Sequence, residues 1–224
     1  MFPLYKDSLT VEKMIMKSLK ICKKITNNYE IIVVDDGCPE KSGLLAKKFT
    51  KKNKKIKVIF HKKNLGYGSA LKTGFKNCKK KWIFQTDGDA EYDVNDLKKL
   101  TKFTDVSDLI ITYRLKKKYN TNRIIISWIY NFILRSIFFT KFKDISTGSR
   151  LIKKNLFKKI NLSSNSPFVG AELAIKSKYN GFRINEVGIH TYPRTFGSGS
   201  SVSLKNILLT IIDMIKMFLK FKYK

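Results

Sequence analysis

Two aspartates separated by one residue, Asp87 and Asp89, follow a short apolar run at 82–84, and a third acid, Glu91, lies two positions further on. The apolar run predicts a buried strand. Carboxylates at this spacing can converge on one hard divalent cation, because Mg²⁺ and Mn²⁺ prefer oxygen ligands and keep room for phosphates. The alternative is a solvated acidic loop, and the spacing alone leaves the two interpretations balanced.

A second pair of acids, Asp35 and Asp36, follows the β-branched run at 31–34 and precedes Gly37. Open α/β sheets bind their ligands at the carboxyl ends of the strands. A carboxylate at that place can accept hydrogen bonds from a nucleobase edge or a ribose. The alternative is a plain turn, which an Asp-Gly pair also favours.

Two glycine-bearing loops complete the candidate binding segments. Gly66 and Gly68 stand before a predicted helix, where the backbone can approach a ligand and the helix N-terminus favours an anion. The stretch lacks the ending of a phosphate-cradling P-loop. Arg194 opens a Gly/Ser-rich stretch that can clamp a diphosphate and close as a lid. A plain loop and a surface linker are the respective alternatives.

Runs with strand character alternate with helical periodicity along the first half of the chain. We predict strands at 30–34, 57–60, 82–85 and 109–113, and helices at 9–25, 42–52, 69–77 and 94–103. Further on, we predict helices at 124–139 and 170–179 and strands at 149–152 and 183–187. This order predicts an α/β fold with a mainly parallel sheet flanked by helices. We divide the chain into a domain at 1–203 and a basic amphipathic C-terminal helix at 204–224.

The chain carries 46 Lys and Arg against 17 Asp and Glu, a formal net charge of +29. Only six of the basic residues are Arg, and the abundance of Lys, Ile and Asn is typical of an AT-rich genome. A nucleic-acid-binding module is poorly supported, because Arg-rich readers and interleaved aromatic residues are lacking. The remaining charge excess favours an anionic membrane surface or a phosphate-bearing substrate.

Three cysteines without metal-ligand spacing predict reduced thiols in a cytosolic setting. The opening residues lack the apolar core of a signal peptide. The most apolar segments, 124–142 and 204–219, are interrupted by charged residues and do not predict membrane spans. We therefore expect a cytoplasmic protein that is peripheral at the inner face of the cell membrane.

In this order, the motifs resemble those of the family 2 glycosyltransferases, which have the GT-A fold. The resemblance is to the dolichyl-phosphate mannosyltransferase-like and undecaprenyl-phosphate glycosyltransferase-like enzymes. It rests on the stretches Pro3 to Asp7, Val34 to Cys38, Asn64 to Gly74, Asp87 to Glu91, Asp144 to Arg150 and Arg194 to Ser200. Only two residues precede Pro3, so we expect the first strand of the Rossmann-like sheet to be missing or truncated.

The resemblance implies transfer of a sugar from a nucleotide-sugar donor with inversion at the anomeric carbon. It implies that Asp87, Asp89 and Glu91 hold Mg²⁺ or Mn²⁺ against the donor diphosphate, although Glu91 stands where relatives carry Gln. The candidate catalytic residues are Asp89, Asp144 and Arg194. The positions that match donor-binding residues are Pro3, Tyr5, Asp7, Val34, Asp36, Gly66, Asp87, Gly88, Arg114, Arg123 and Arg194.

Two acceptor classes stay open. A polyprenyl phosphate is already anionic and needs no general base, which fits the expectation that His61 and His190 are structural. A glycan or small-molecule hydroxyl needs a base, for which Asp144 is the candidate. The remaining alternative is an inactive GT-A-like binding protein. We expect the helices at 124–142 and 204–224 to lie at a membrane interface, with core packing as the alternative.

Overall fold

A computed structural model of the chain describes residues 1–116, 121–193 and 203–222. Within those ranges, strands and helices alternate in the first half as the hydrophobic pattern predicts. The strands are β1 Phe2–Leu4, β2 Ile31–Asp35, β3 Ile56–Phe60, β4 Trp82–Gln85, β5 Leu109–Arg114, β6 Arg150–Lys153 and β7 Ile184–Ile189. The helices are α1 Val11–Ile25, α2 Ser42–Lys52, α3 Tyr67–Asn77, α4 Leu97–Thr101, α5 Thr121–Ile137, α6 Val169–Tyr179 and α7 Leu204–Lys222.

The strands form two sheets that meet at the N-terminal residue. One is parallel with the order β1-β2-β3, and the other has the order β4-β6-β5-β7, in which β6 runs antiparallel to both neighbours. The ammonium of Met1 donates to the carbonyl of Phe84 at 2.5 Å, and the Thr86 N–H donates to the carbonyl of Met1 at 3.2 Å. These bonds place β1 beside β4, so that the seven strands make one surface.

The first strand was expected to be missing or truncated, and it is present as a short strand of three residues. Phe2, Pro3 and Leu4 pair in parallel register with Val33, Val34 and Asp35 of β2. All three residues of β1 are buried, and the strand has three residues where β2 has five. A strand of this length is sufficient to carry the loop that follows it to the edge of the sheet where the other strands end.

Helices cover both faces of the surface, because alternate residues of each central strand point to opposite sides. Ile32 and Val34 belong to a hydrophobic cluster with α3, α5, α6 and α7. Ile31 and Val33 belong to a second cluster with α1, α2 and α4. Burial on both faces explains why β2 is a continuous apolar run instead of an alternating one. The result is a three-layer α/β/α arrangement.

The predicted starts of α1 and α4 differ from the observed ones. The helix predicted at 9–25 begins at Val11, with Thr10 at its N-cap, and the hydroxyl of Ser8 donates to Glu40 at 2.9 Å. The segment predicted as a helix at 94–103 is a 3₁₀ turn at Val94–Asp96 followed by the short α4. Asp93 accepts from the Asn95 N–H and starts that turn.

Helix α7 packs on the domain but also presents apolar side chains to solvent. Met214 and Met217 are buried in the first cluster. The aromatic ring of Phe138, just after α5, meets the ring of Phe218 at 6.5 Å and that of Phe221 at 6.2 Å between centroids. Across the described residues, no helix is both long enough and apolar enough to cross a bilayer.

Candidate active site

A cavity of about 760 Å³ opens at the sheet edge where β1, β4 and β5 end. Ligands of open α/β sheets bind at this edge, because the loops after parallel strands converge there. The cavity gathers most of the residues predicted from the sequence, namely Pro3, Tyr5, Asp7, Asp36, Gly66, Asp87, Gly88, Asp89, Glu91, Arg114 and Arg123. A second cavity, of about 460 Å³ between α1 and the starts of β2 and β4, contains none of them.

Two predicted residues in the described part of the chain do not line the larger cavity, and a third lies outside the described residues. Val34 is fully buried, and its side chain belongs to the hydrophobic core, so we leave it out of the site. Asp144 is buried behind the cavity wall, where it holds Arg114. Arg194 lies outside the described residues. The described chain just before it is fixed near the acidic loop, since the Tyr192 N–H donates to the carbonyl of Glu91 at 2.9 Å.

Asp87 follows β4 and lies against Tyr67 and Gly148. The Tyr67 hydroxyl donates to its Oδ1 at 2.7 Å, and a Cβ on Gly148 would lie only 1.9 Å from its Oδ2. Burial raises the pKa of Asp87 to about 6, against the opposing hydrogen bond from Tyr67. The acids Glu91 and Asp7 raise the pKa further, and the buried guanidinium of Arg150 lowers it. The negative charge of this carboxylate is therefore poorly solvated and only partly offset by its neighbours.

Asp89 and Glu91 lie in a tight turn after Asp87. The Glu91 N–H donates to Oδ1 of Asp89 at 3.0 Å, and Ala90 between them has a left-handed φ of 62°. The buried carboxylate of Glu91 pairs with Arg123 at 3.4 Å. Among the described residues, no three acids, histidines or cysteines are grouped closely enough to hold a metal ion. Glu91 is thus engaged by an arginine, and the expected set of three metal ligands is not assembled.

Asp36 holds the glycine turn in place. Its two carboxylate oxygens accept the N–H groups of Leu65 and Gly66 at 3.0 and 2.9 Å. His61 contacts the same carboxylate through Nδ1 at 2.7 Å and the Thr73 hydroxyl through Nε2 at 2.9 Å. This bears out the expectation that His61 is structural. It also means that Asp36 shapes the cavity wall in addition to lining it.

The loop after β1 is locked against the acidic turn. Oδ2 of Asp7 accepts the Tyr5 N–H at 2.9 Å, and the Thr10 hydroxyl donates to the carbonyl of Gly88 at 2.7 Å. A Cβ on Gly88 would lie 2.7 Å from the carbonyl oxygen of Pro3. Glycine at 88 is therefore required for this close approach, which brings the β1 loop beside Asp87.

Arg114 ends β5 and forms a two-pronged ion pair with Asp144. Nε and Nη2 donate to the two carboxylate oxygens at 2.7 and 2.9 Å. Asn131 and the Ser146 hydroxyl donate to the same carboxylate at 3.3 and 2.7 Å. A carboxylate that accepts this many donors is a weak proton acceptor, because its charged form is stabilised. The surroundings of Asp144 therefore weigh against its predicted role as a base.

The sequence reasoning missed Tyr67, Gly148 and Arg150 as parts of the site. Arg150 is 2% exposed, and it donates to the carbonyls of Thr147 and, at 2.6 Å, Gly170. Burial lowers the pKa of its guanidinium. A signal was present for Gly148 and Arg150, since both belong to the stretch 144–150 that resembles the glycosyltransferase motif. For Tyr67, the only signal was its position between two glycines.

The sequence reasoning also treated α7 as an appendage, although it forms one wall of the cavity. Leu209 and Ile212 line the wall, with Lys205 and Lys216 on either side of them along the helix. Asn206 and Asp213 of α7 also line the cavity, and the opposite wall carries the remaining acids and the arginines. The cavity is therefore ionic at the sheet edge, whereas the α7 wall combines apolar side chains with charged and polar ones.

Comparisons with known proteins agree with this geometry. The model of Glycosyl transferase family 2 matches residues 3–161. An uncharacterized protein of Methanocaldococcus jannaschii is 33% identical over 221 residues, which cover 91% of this chain and 88% of that protein. Dodecaprenyl-phosphate galacturonate synthase of Rhizobium johnstonii is 21% identical over 227 residues, which cover 99% of this chain. The chain spans 66% of the length of that synthase.

The fold has counterparts among solved structures. Glucosyl-3-phosphoglycerate synthase of Mycobacterium tuberculosis, in complex with Mn²⁺, uridine diphosphate and phosphoglyceric acid, matches with a TM-score of 0.74. The sequence identity is 12%, and the match covers 97% of this chain and 76% of that chain. At this identity the likeness shows the fold, which is GT-A. By the match over residues 3–161, the chain belongs to glycosyltransferase family 2.

Proposed function

We propose that this glycosyltransferase moves a sugar from a nucleotide-sugar to a polyprenyl phosphate, with inversion at the anomeric carbon. The observation that carries the acceptor class is the two-sided cavity. Its ionic wall suits a diphosphate, and the wall from α7 combines Leu209 and Ile212 with Lys205 and Lys216. Apolar side chains next to cations suit an amphiphile that carries a phosphate. Dodecaprenyl-phosphate galacturonate synthase, a relative by sequence, is named for such an acceptor.

The nucleoside end of the donor would lie against the loops after β1 and β2. Pro3, Tyr5 and Asp7 line that part of the cavity, together with Asp36 and Gly66. The Tyr5 ring is half-exposed and offers a flat apolar face to a base. The hydrogen bonds of Asp7 and Asp36 to main-chain N–H groups hold this wall in shape without a ligand, which lowers the ordering cost of binding.

A divalent cation fits the donor chemistry of the acidic turn. Asp87 and Asp89 offer hard oxygen ligands, and desolvation, the main cause of the raised pKa of Asp87, leaves its charged form poorly stabilised. Bound Mg²⁺ or Mn²⁺ would supply Lewis-acid stabilisation of the leaving diphosphate. We assign Asp87 and Asp89 to hold the ion, and Glu91 to orient Arg123 toward the cavity.

At the acceptor end, the site has to bind an anion and does not have to remove a proton. Arg114 and Arg123 line the cavity and carry charge that attracts a phosphate. The phosphate oxygen of a polyprenyl phosphate is already a charged nucleophile, so it can attack the anomeric carbon directly. This agrees with the engagement of Asp144 by Arg114. A hydroxyl acceptor would instead need a base to remove its proton.

The transfer reaction tests this proposal. Purified protein is incubated with Mn²⁺, nucleotide-sugars and polyprenyl phosphate, and nucleotide release is measured together with lipid-linked product. We expect transfer by the wild type and a loss of at least about a hundredfold in Asp89→Ala. The matched control is Asp105→Ala, which removes an exposed acid from a surface turn. Equal rates in the Asp89→Ala variant and the wild type, or transfer only to hydroxyl acceptors, would refute the proposal.

We also propose that the protein works on the cytoplasmic face of the membrane as a peripheral protein. Helix α7 has an exposed apolar stripe at helical spacing, formed by Leu204, Leu208, Ile211, Ile215 and Leu219. Helix α5 exposes a second stripe, formed by Ile125, Trp128, Ile129 and Phe132. Apolar helix faces flanked by lysines bind in the plane of an anionic bilayer.

Sedimentation with vesicles tests the membrane proposal. We expect binding to vesicles that contain an anionic phospholipid and weaker binding to zwitterionic ones. Ile215→Glu should reduce binding, because it places a charge on the apolar stripe, whereas Leu44→Glu on α2 should not. The two side chains are matched at 50% and 49% exposure. Equal losses in the two variants, or a concentration-dependent dimer with no vesicle binding, would refute it.

A further inference from the structure

The glycine turn before α3 packs on another part of the chain, and its Gly66 also lines the cavity. The Gly68 N–H donates to the carbonyl of Asn165 at 2.9 Å. A Cβ on Gly68 would lie 2.7 Å from the carbonyl carbon of Asn165, and a Cβ on Gly66 would lie 2.9 Å from its oxygen. The glycines therefore permit close contact with the segment 163–167. The N–H of Gly68 is used by this contact.

The side chain of Asn165 strengthens the same contact. Its Oδ1 accepts from the Ser69 hydroxyl at 2.9 Å and from Nζ of Lys72 at 2.6 Å. Three donors of α3 are thus held by one residue that is distant in sequence. Such a residue acts as a cap supplied from outside the helix, since it satisfies groups of the first turn.

The segment 163–167 is itself fixed by two acids. Glu172 of α6 accepts from the main-chain N–H groups of Ser163 and Ser164, each at 2.9 Å. Asp213 of α7 accepts from the Ser164 hydroxyl at 2.5 Å and from the Ser166 N–H at 3.3 Å. Ser164 is buried, and its hydroxyl lies between the carboxylate of Asp213 and the hydroxyl of Ser166, which is 3.1 Å away. Asp213 is also the single acid in the sequence of α7.

The contacts continue from the glycine turn to the acidic turn. Tyr67 stands between the two glycines, and its hydroxyl donates to Asp87 at 2.7 Å. A continuous series of contacts therefore runs from Asp213 through the segment 163–167 and Tyr67 to Asp87. It joins the α7 wall of the cavity to the wall with the acids, which are far apart in sequence.

We propose that Asp213 is a positioning residue for the donor site. By fixing the segment 163–167, it sets the position of the glycine turn and of the Tyr67 hydroxyl on Asp87. The affinity for the donor then depends on how α7 is seated. Asp213 also lines the cavity, but its Oδ2 is held by Ser164 and Ser166. The proposal rests on the proposed function, because it assigns Asp87 to the donor site.

A binding experiment separates this role from a general loss of structure. The affinity for uridine and guanosine diphosphates with Mn²⁺ is measured by calorimetric titration for the wild type, Asp213→Asn, Ser164→Ala and Tyr67→Phe. We expect each variant to bind about 5- to 50-fold more weakly, within the usual range of coupling between sites. Melting temperatures are compared with that of Asp105→Asn, a matched removal of one acid. In transfer assays, KM for the donor should rise while kcat stays within about threefold.

The double variant Asp213→Asn/Tyr67→Phe decides the question. Independent residues that are not in contact have additive effects, within about twofold in affinity. If Asp213 acts through Tyr67, the affinity of the double variant should be no more than about threefold below that of whichever single variant binds the nucleotide less tightly. Additive losses, or unchanged affinity in Asp213→Asn, would overturn the inference alone. A wild type that binds neither nucleotide would refute the proposed function as well, which distinguishes the two failures.

Discussion

The half-buried carboxylate of Asp87 should make the protein less stable at neutral pH than a neutral side chain in its place. Its pKa is about 6 in the folded protein, against an ordinary value of 3.8. Between these two pH values the unfolded chain binds fewer protons than the folded one, so stability falls as pH rises through the window. A pKa difference of about two units lowers the free energy of unfolding by about 3 kcal/mol, and this loss is complete above about pH 6.

Asp87→Asn removes this penalty while keeping an oxygen that can accept from Tyr67. In the presence of a chelator, urea unfolding should show the variant more stable than the wild type by about 3 kcal/mol at about pH 7.5. The difference should shrink to less than about 1 kcal/mol at about pH 4, because the folded carboxyl is then protonated and roughly half of the unfolded carboxyl is protonated as well. Mn²⁺ with a nucleoside diphosphate should then stabilise the wild type more than the variant.

The control is Asp105→Asn, which adds the same unit to the net positive charge at an exposed turn. It should change stability by less than about 0.5 kcal/mol. A stability difference for Asp87→Asn that is equal at both pH values would contradict the reasoning. So would a variant that is less stable than the wild type at neutral pH, because burial could not then be the main influence on Asp87.

Three further substitutions test particular contacts. Gly148→Ala places a Cβ 1.9 Å from Oδ2 of Asp87, so we expect at least about tenfold weaker binding of uridine diphosphate with Mn²⁺ in calorimetric titration. Arg114→Lys keeps the charge but loses the two-pronged pair with Asp144, so kcat/KM should fall at least about tenfold and unfolding should cost about 1–3 kcal/mol less. His61→Phe removes the partner of the Thr73 hydroxyl and one contact of Asp36, which keeps its main-chain donors, and should lower stability by about 1–3 kcal/mol in urea unfolding.

Each of these has an outcome that counts against it. Unchanged nucleotide affinity in Gly148→Ala would show that the Asp87 carboxylate can move aside without loss. A fully active Arg114→Lys would show that charge alone is sufficient at that position. An unchanged urea midpoint in His61→Phe would show that the Asp36 carboxylate is held by the main chain alone. Gly181→Ala serves as a comparison for the first, since its added Cβ meets nothing within 4 Å and only the positive φ is strained.

The strand ends were predictable because a strand that is buried on both faces appears in the sequence as a continuous apolar run. β2 and β4 are short apolar runs that stop at acids, and the structure places both within one residue of the prediction. Helix α2 begins and ends where the pattern predicts. The termini that depend on distant contacts were less predictable. Helix α1 begins at Val11 instead of residue 9, and the hydroxyl of Thr10 just before it donates to the carbonyl of Gly88, far along the chain.

The site was predictable where a motif has a fixed spacing within one loop. Asp87 and Asp89 lie at the cavity as expected. Pairings between loops were not predictable, since spacing says nothing about which partner a charge will find. Glu91 was expected to bind a metal ion and pairs with Arg123. Asp144 was expected to act as a base, and its pairing with Arg114 weighs against that role.

The sequence by itself determined the family, the alternation of strands and helices, and the acids that meet at one sheet edge. Those features are local, because a period of apolar residues and a run of acids are both set by neighbours in the chain. Only the tertiary structure decided that α7 forms a wall of the cavity and that Asp213 reaches Ser164. It also decided how buried Asp87 is, and therefore its pKa. Desolvation and long-range hydrogen bonds depend on what packs around a side chain, and no spacing along the chain encodes that.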